Sequence, residues 1–581
     1  MSNSLISRND LDFLLHDWLK IDDLADRDLL AAFLDLSEKL AADQFLPHYR
    51  QSDIDEPELT ADGVHVCAPI GPALKQYADL GFFSAGFEEL HGGSGLPFIA
   101  CAASFAYFAA ANIATAAYPM LTVANARLIT TFGSASQIET FALPQIEGRW
   151  FGTMCLSETQ AGSSLADLQT RAVPDGTDEL GSRFRLTGNK MWISGGDQDI
   201  SENIVHLVLA KVPDAQGRLP EGTPGISLFI VPKILPDGTR NDLSVAGLNH
   251  KMGYRGTANC VLNFGEGDGA VGWIVGEPGQ GLRQMFLMMN EARISVGLGA
   301  AALGYRSHRL SVQYARERSQ GRPIGERGGA PVAIIEHADV KRMLLAQKSY
   351  AEGALALCLY CARLVDLETT DADSAALLGL LTPVTKTWSS EYGLAANDIA
   401  IQIHGGYGYT RDFQVEQLWR DNRLNPIHEG TTGIQGIDLL GRKILRDGQA
   451  LAVLEQAIRR CSEAAVHDAS LGRFADELLD AWGQINAAID CLRGCEGSSA
   501  FAHATLFLRA FGHTVVAWLW LDQALAARKL AEAGGADADF IDGKLMTFQY
   551  FFETELPNVA AWLAPILSKG NAVTTARTAI F

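Results

Sequence analysis

Gln402-Ile403-His404-Gly405-Gly406-Tyr407-Gly408-Tyr409 is followed by Leu418-Trp419-Arg420-Asp421, and then by Ile427-His428-Glu429-Gly430-Thr431-Thr432-Gly433-Ile434-Gln435. The first glycine cluster permits close backbone approach, and the second sets one carboxylate, Glu429, in a turn. A lone G-G-x-G carries little weight, and so does a lone E-G-T. Their spacing, together with what lies upstream, decides the reading.

Around this block, from Gly279 to about Asp447, apolar residues keep helical spacing, with Met285–Arg318 and Ala333–Val365 as long helices. Between Trp150 and about Val275 the texture is different. Phe184-Arg185-Leu186, Lys190-Met191-Trp192-Ile193 and Ile226-Ser227-Leu228-Phe229-Ile230-Val231 are strand-like, and Pro174-Asp175-Gly176 and Pro236-Asp237-Gly238 are turn clusters. No helices alternate with these strands, so an antiparallel barrel or sandwich is expected. The residues before Arg149 are helical: Leu29, Leu30, Phe33, Leu34 and Leu36 fall mostly on one side of a helix, and Phe98–Tyr118 forms a buried helix after the loop His91–Pro97. The last zone is helical and rich in Ala and Leu, with Thr514–Leu530 strongly apolar. The expected fold is therefore α+β and multidomain. Residues 1–149 form an N-terminal helical domain, 150–278 a middle β domain, 279–447 a helical bundle and 448–581 an additional C-terminal helical domain.

A chain of 581 residues exceeds one hydrophobic core, and roughly three or four domains are expected. Its 48% hydrophobic and 20% charged residues are ordinary for a globular enzyme. The net charge of −21 argues against nucleic-acid partners and against adhesion to anionic lipid. Nine scattered cysteines, including the pair Cys358 and Cys361 in an apolar helical stretch, read as reduced structural thiols and fit a bacterial cytoplasm. The N-terminus lacks the basic start and unbroken apolar core of a signal peptide. No membrane span is expected; the nearest approach, Ala100–Met120, suits a buried helix better.

In this order the segments resemble the acyl-CoA dehydrogenase family. Cys155-Leu156-Ser157-Glu158-Thr159-Gln160-Ala161-Gly162-Ser163-Ser164 resembles its flavin-binding loop, and Leu186-Thr187-Gly188-Asn189-Lys190-Met191-Trp192-Ile193-Ser194-Gly195-Gly196 its second flavin segment. Small residues let backbone N–H groups and hydroxyls approach a flavin edge, and Trp192 offers a flat apolar wall. The resemblance implies FAD contacts from Leu156, Ser157, Gly162, Ser163, Trp192 and Ser194, with Ser163 meeting substrate as well. His250-Lys251-Met252-Gly253-Tyr254-Arg255-Gly256-Thr257 is a further family marker. Within Met289-Asn290-Glu291-Ala292-Arg293, it assigns Asn290 and Arg293 to the CoA part of the substrate; Asn290 stands where an acid is usual. Arg318 matches an arginine that reaches the neighbouring subunit's FAD diphosphate, although Gln320 and Gly321-Arg322 depart from the family's pattern.

In the opening block the same resemblance gives Gln402, Gly405, Gly406, Thr431 and Gly433 to FAD, Gly430 to substrate and Glu429 to the role of catalytic base. His428 replaces a tyrosine and Gly433 a glutamine. His404 and His428 are read as packing or hydrogen-bonding residues. The activity implied is oxidation of an acyl-CoA to a trans-2-enoyl-CoA within β-oxidation. The α-proton goes to Glu429, the β-hydride to the flavin, and electrons onward to an electron-transferring flavoprotein. The extra C-terminal zone is similar to a longer bacterial branch, typically homodimeric, that includes fatty acyl-CoA and 3-methylmercaptopropionyl-CoA dehydrogenases. Medium- or long-chain fatty acyl-CoA is the expected substrate. The alternatives are 3-methylmercaptopropionyl-CoA, an acyl-CoA oxidase releasing hydrogen peroxide, and a DNA-associated flavoprotein of the same fold. The last is disfavoured because the tail carries more acids than bases.

Overall fold

The computed structural model describes residues 5–325, 328–495, 497–534 and 537–581. The chain divides into two compact units: Ala32–Ala292, and Arg293–Phe581 together with the N-terminal residues up to Ala31.

Helix α1 (Arg27–Leu40), which crosses the boundary at Ala31, buries Leu30 and Leu34, while Leu29 and Leu36 are exposed. These two lie off the stripe that runs through 30, 34, Ser37 and Ala41, so the leucine-rich run is less one-sided than its composition implies. Helix α2 (Phe98–Phe132) runs well past Tyr118, with a kink at Asn112 (φ −160°, ψ 93°) and Pro119 buried inside its second half. The apolar window of α2 is 83% buried, the pattern of a core helix.

The middle strands are β1 (Trp150–Cys155), β2 (Arg171–Asp178), β3 (Gly181–Ser194), β4 (Asn203–Lys211), β5 (Ile226–Pro232), β6 (Leu243–Leu248), β7 (Asn259–Phe264) and β8 (Ala270–Ile274). Their order is β8-β5-β4-β2-β3-β7-β6, and β8 also pairs with β3, which closes a barrel. Most pairs are antiparallel, as the turn clusters imply. The exceptions are β1, which lies parallel to β4 from Trp150↔Asn203 to Cys155↔Val208, and a single parallel bridge between β2 and β4. The β2–β3 hairpin intervenes between β1 and β4, so no tight turn imposes an antiparallel partner on β1. Asn125 of α2 fixes the pairing by donating to Thr153 O and Val205 O, both at 2.9 Å. Strands β4, β5 and β8 are buried along their whole length, and for β5 this explains why Ile226–Val231 is a largely apolar run rather than an alternation.

Helix α3 (Gly281–Glu317) crosses the boundary at Ala292, and the other unit continues with α4 (Ala338–Leu367), α5 (Ala372–His404), α6 (Val415–Asn422) and α7 (Thr432–Ile437). The tail supplies α8 (Gln449–Val466), α9 (Gly472–Arg493), α10 (Ala504–Ala533), α11 (Ala538–Tyr550) and α12 (Asn558–Leu567). Helix α10 is central: Trp518, Leu519, Trp520 and Leu521 are buried, and Trp388 of α5 donates to His513 Nδ1 at 3.0 Å. A Cβ at Gly353 would meet Trp520 Nε1 at 3.0 Å, so α4 and α10 pack with nothing to spare. Cys358 and Cys361 point into this core against Ser389 and Thr385, and burial raises both thiols, Cys361 to about 12. They are inert packing groups.

Candidate active site

Between α6 and α7 the chain turns tightly, with Asn425 bonding back to Asn422 Oδ1 at 2.8 Å and Ile427 N–H to Leu424 O at 2.8 Å. Glu429 (φ 52°) and Gly430 (φ 90°) are both left-handed. For a glutamate this costs about 1–3 kcal/mol, which the surroundings must supply. They do so through the two carbonyls: Gln435 donates to Glu429 O at 2.9 Å, and Lys386 of α5 donates to Gly430 O at 2.7 Å. A side chain at 430 would be strained at φ 90° and would displace the Gln435 amide, 2.7 Å from its Cβ, so glycine is strongly favoured. Thr431 caps α7 without spending its hydroxyl on the cap, and it is exposed like Gly433.

The Glu429 side chain is open to solvent and its carboxyl accepts no hydrogen bond among the described residues. Protein nevertheless surrounds it closely enough for desolvation to raise its pKa, with Arg293 and Lys386 pulling in the other direction. The ammonium of Lys386 is itself disfavoured by burial, against which Glu429 pulls, leaving it at about 7. His428 is driven down to about 3 by burial and by Lys386, so it is a neutral imidazole 3.1 Å from Asn425 Oδ1. A carboxylate of raised basicity on a fixed turn, with no hydrogen-bond partner among the described residues, can take a proton from a ligand.

Arg293, expected to meet the CoA part of a substrate, is buried and donates to Asp438 at 2.9 Å; its Nε carries no hydrogen bond. Asn290 lies half-buried one turn earlier on α3. Arg318, Gly405 and Gly406 line a cleft of about 440 Å³ with Tyr314, His404 and Tyr407. Nothing lies within 4 Å of a Cβ built on either glycine, and Gly405 takes φ 62°, ψ −138°, open only to glycine. The Arg318 guanidinium stands 5.7 Å from the Tyr407 ring, and Gln402, exposed at the end of α5, accepts the Gly405 N–H through its carbonyl. An open glycine edge beside a guanidinium fits an extended diphosphate. His404 is a packing residue, as expected, stacked on Tyr314 at 4.3 Å with Nδ1 against Ala400 O.

In the middle domain the segments 155–164 and 186–196 are one hydrogen-bonded structure. Met191 N–H donates to Ser157 O at 3.0 Å. The β3–β7 register shifts between Lys190 and Ile193, and at that bulge Trp192 adopts φ 66° and stands 60% exposed. A left-handed tryptophan turned out to solvent fits a flat aromatic ligand. Ser194 accepts from Asn259 at 3.2 Å; Gly162 and Ser163 are exposed, and Leu156 and Ser157 are half-buried.

Sequence reasoning quoted Glu158 and Lys190 inside these segments without seeing their role. They form a buried ion pair at 3.0 Å, and Lys190 also donates to Leu156 O. Burial opposes ionisation of Glu158, but Lys190 and the donors of Thr170 and Gln169 outweigh it and hold the carboxyl at about 2. One carboxylate therefore gathers the loop. Lys386 was missed entirely; in sequence it is a single charge among the uncharged residues of the run Pro383–Ser390.

Family models match four consecutive segments: "acyl-CoA dehydrogenase, N-terminal domain" at 30–149, "middle domain" at 153–266, "C-terminal domain" at 279–445, and "acetyl-CoA dehydrogenase C-terminal like" at 453–577. A 3-methylmercaptopropionyl-CoA dehydrogenase of Ruegeria pomeroyi is 37% identical over 87% of this chain and 86% of its own length. A broad-specificity linear acyl-CoA dehydrogenase of Mycobacterium tuberculosis is 32% identical over 91% of this chain and 90% of its own. Among solved structures, Caenorhabditis elegans ACDH-11 in complex with C11-CoA superposes with a TM-score of 0.79 at 20% identity, covering 100% of this chain and 96% of that one. At that identity the likeness shows the fold alone.

Proposed function

We propose that this chain, which belongs to the acyl-CoA dehydrogenase family, desaturates an acyl-CoA thioester with Glu429 as the base that removes the α-proton. The family's members are oxidoreductases that act on CH–CH bonds with FAD, and this enzyme is one of them. The observation that carries the assignment of the base is the turn at 429–430, a strained and unpartnered carboxylate whose basicity is raised by its setting.

When bound, FAD supplies the hydride acceptor that no side chain provides. Arg318 would reach the diphosphate of the neighbouring subunit's FAD, and the Gly405–Gly406 edge would line a FAD diphosphate, with Gln402, Thr431 and Gly433 close in sequence to that edge or to the base. Ser157, Trp192 and Ser194 would receive the ring system, with Leu156, Gly162 and Ser163 in the same loop. The Glu429 N–H donates to nothing among the described residues, so it is free to bind a thioester oxygen as negative charge develops there. Arg293, held by Asp438, then acts on the site as a fixed positive charge near Glu429, while Asn290, Gly430 and Ser163 remain the proposed substrate contacts.

The ion pair beneath the flavin loop gives a further expectation. Glu158→Gln leaves Lys190 buried without its counter-charge, and FAD affinity should fall on the order of tenfold, the worth of one charge-assisted hydrogen bond. Titration of the apoprotein with FAD, followed by flavin fluorescence, measures it; unchanged affinity would separate the pair from cofactor binding.

For the substrate we favour straight-chain acyl-CoA of medium or long chain, oxidised in β-oxidation by a cytoplasmic homodimer that passes electrons to an electron-transferring flavoprotein. The 37% identical relative supports a second reading, 3-methylmercaptopropionyl-CoA, whose thioether sulfur replaces one methylene of a linear acyl chain. Turnover across an acyl-CoA panel with an artificial acceptor discriminates them. A kcat/KM maximum at C8 or beyond supports the first reading. A maximum at the thioether or its five-carbon isostere supports the second, and hydrogen peroxide formed at the turnover rate would show an oxidase.

A further inference from the structure

Among the described residues, three lysines have 1% or less of their surface exposed: Lys190, Lys386 and Lys544. Lys190 touches Glu158, and Lys544 touches Asp10 and Glu352. Lys386 has no carboxylate within ion-pair distance among the described residues. Its one hydrogen bond runs to the carbonyl of Gly430, the residue after the proposed base. An ammonium desolvated without a direct counter-ion costs several kcal/mol, so its placement needs a compensating interaction. The carbonyl it holds belongs to a turn whose two central residues are both left-handed.

We propose that Lys386 is a positioning residue for Glu429, tethering the turn through the Gly430 carbonyl and placing a positive charge that keeps the base ionised in the free enzyme. The inference rests on the reading of Glu429 given above and deepens it.

The charges around the pair are few. Glu429 and His428 face Lys386 from the turn, Arg293 faces it from α3, and Glu391 lies further along α5. Arg293 is neutralised in part by Asp438, which also binds Arg442 and lies near Lys443. Glu391 is bound by Thr432 and by Arg509 of α10, both at 3.1 Å. Lys386 is therefore the cation near Glu429 whose charge is not already shared with a carboxylate by direct contact. Because its pKa lies at about 7, the ammonium supports the carboxylate below that pH and releases it above. A base freed of its neighbouring cation is the stronger base.

Tether and charge separate by substitution. Lys386→Gln keeps a donor for Gly430 O and loses the charge, Lys386→Met loses both, and Lys386→Arg keeps the charge. The assay is the rate of flavin reduction on anaerobic mixing with acyl-CoA, from pH 5.5 to 9, on FAD-loaded protein. In Lys386→Gln the acid limb should move up by about one pH unit, the effect of removing one nearby charge, and rates should converge with wild type above about pH 7. Lys386→Met should show the same shift and, at every pH, a limiting rate lower by about tenfold or more because the turn is no longer held. Lys386→Arg should leave the acid limb in place. Acid limbs and limiting rates in Lys386→Met equal to wild type would overturn the proposal, as would one uniform loss in all three variants, the mark of a structural role alone. Wild-type protein that is not reduced by any acyl-CoA would overturn the reading of Glu429 first, so the two failures are distinguishable.

Discussion

Glu429→Ala should retain FAD and yet show no flavin bleaching when mixed anaerobically with an acyl-CoA that bleaches wild type. The expected loss in reduction rate is about 10²–10⁴-fold, the range for removing a positioned general base. Retention of FAD follows from the local geometry. The carboxyl accepts no hydrogen bond among the described residues, and the turn is held by its carbonyls, through Gln435 and Lys386, rather than by the glutamate side chain. Alanine at 429 keeps the left-handed backbone at a similar cost, so the variant should fold. A change in substrate affinity without a change in reduction rate would place Glu429 in binding only. Normal bleaching would move the base elsewhere. In wild type the base works as a carboxylate, so activity should rise with pH through a pKa above the ordinary glutamate value, the direction in which desolvation drives Glu429.

The order of helical and strand zones was legible because periodicity reports burial, and burial is what the tertiary structure imposes. The run Ile226–Val231, which becomes β5, reads as strand-like for that reason. The parallel placement of β1 was not legible: an edge strand reached after an intervening hairpin carries no turn signal, and the deciding contact, Asn125 with two strand carbonyls, comes from a helix far away in sequence. Chemistry on exposed backbone, such as the glycine edge at 405–406 and the E-G-T turn, was visible as motif. The buried charges were not. Glu158, Lys190 and Lys386 act from beneath the surfaces that motifs describe, and a single charged residue in an otherwise uncharged run does not reveal what it faces. Arg293 shows the opposite case, in which the motif names the residue and the structure adds its partner, Asp438.

The largest effect on stability is expected at Lys544, in the tail helix α11. Its ammonium donates to Glu352 of α4 at 2.9 Å and pairs with Asp10 in the N-terminal helix Arg8–Asp12, whose other oxygen receives the Tyr305 hydroxyl at 3.1 Å. All these groups are buried, and Lys348 shares Glu352. Burial resists the charge on Glu352, but Lys348 and Lys544 overcome it and hold the carboxyl at about 2, while Asp10 is raised by burial and by Glu352. Lys544→Met leaves two buried carboxylates with one lysine between them, and breaking a buried pair in this way costs about 3–5 kcal/mol. The sign of the pH dependence follows from Asp10. Its folded pKa is already raised and rises further without Lys544, so the variant folds best with Asp10 protonated and its deficit grows as pH climbs above the ordinary aspartate range. Urea midpoints at pH 5 and pH 8 should therefore show a smaller gap from wild type at the lower pH. A variant that matches wild type at pH 8 would mean that the N-terminal helix and the tail are held together by apolar packing alone. A uniform gap at both pH values would place the loss in the aliphatic stem and in the Phe13, Trp520 and Phe540 rings around the ammonium, rather than in its charge.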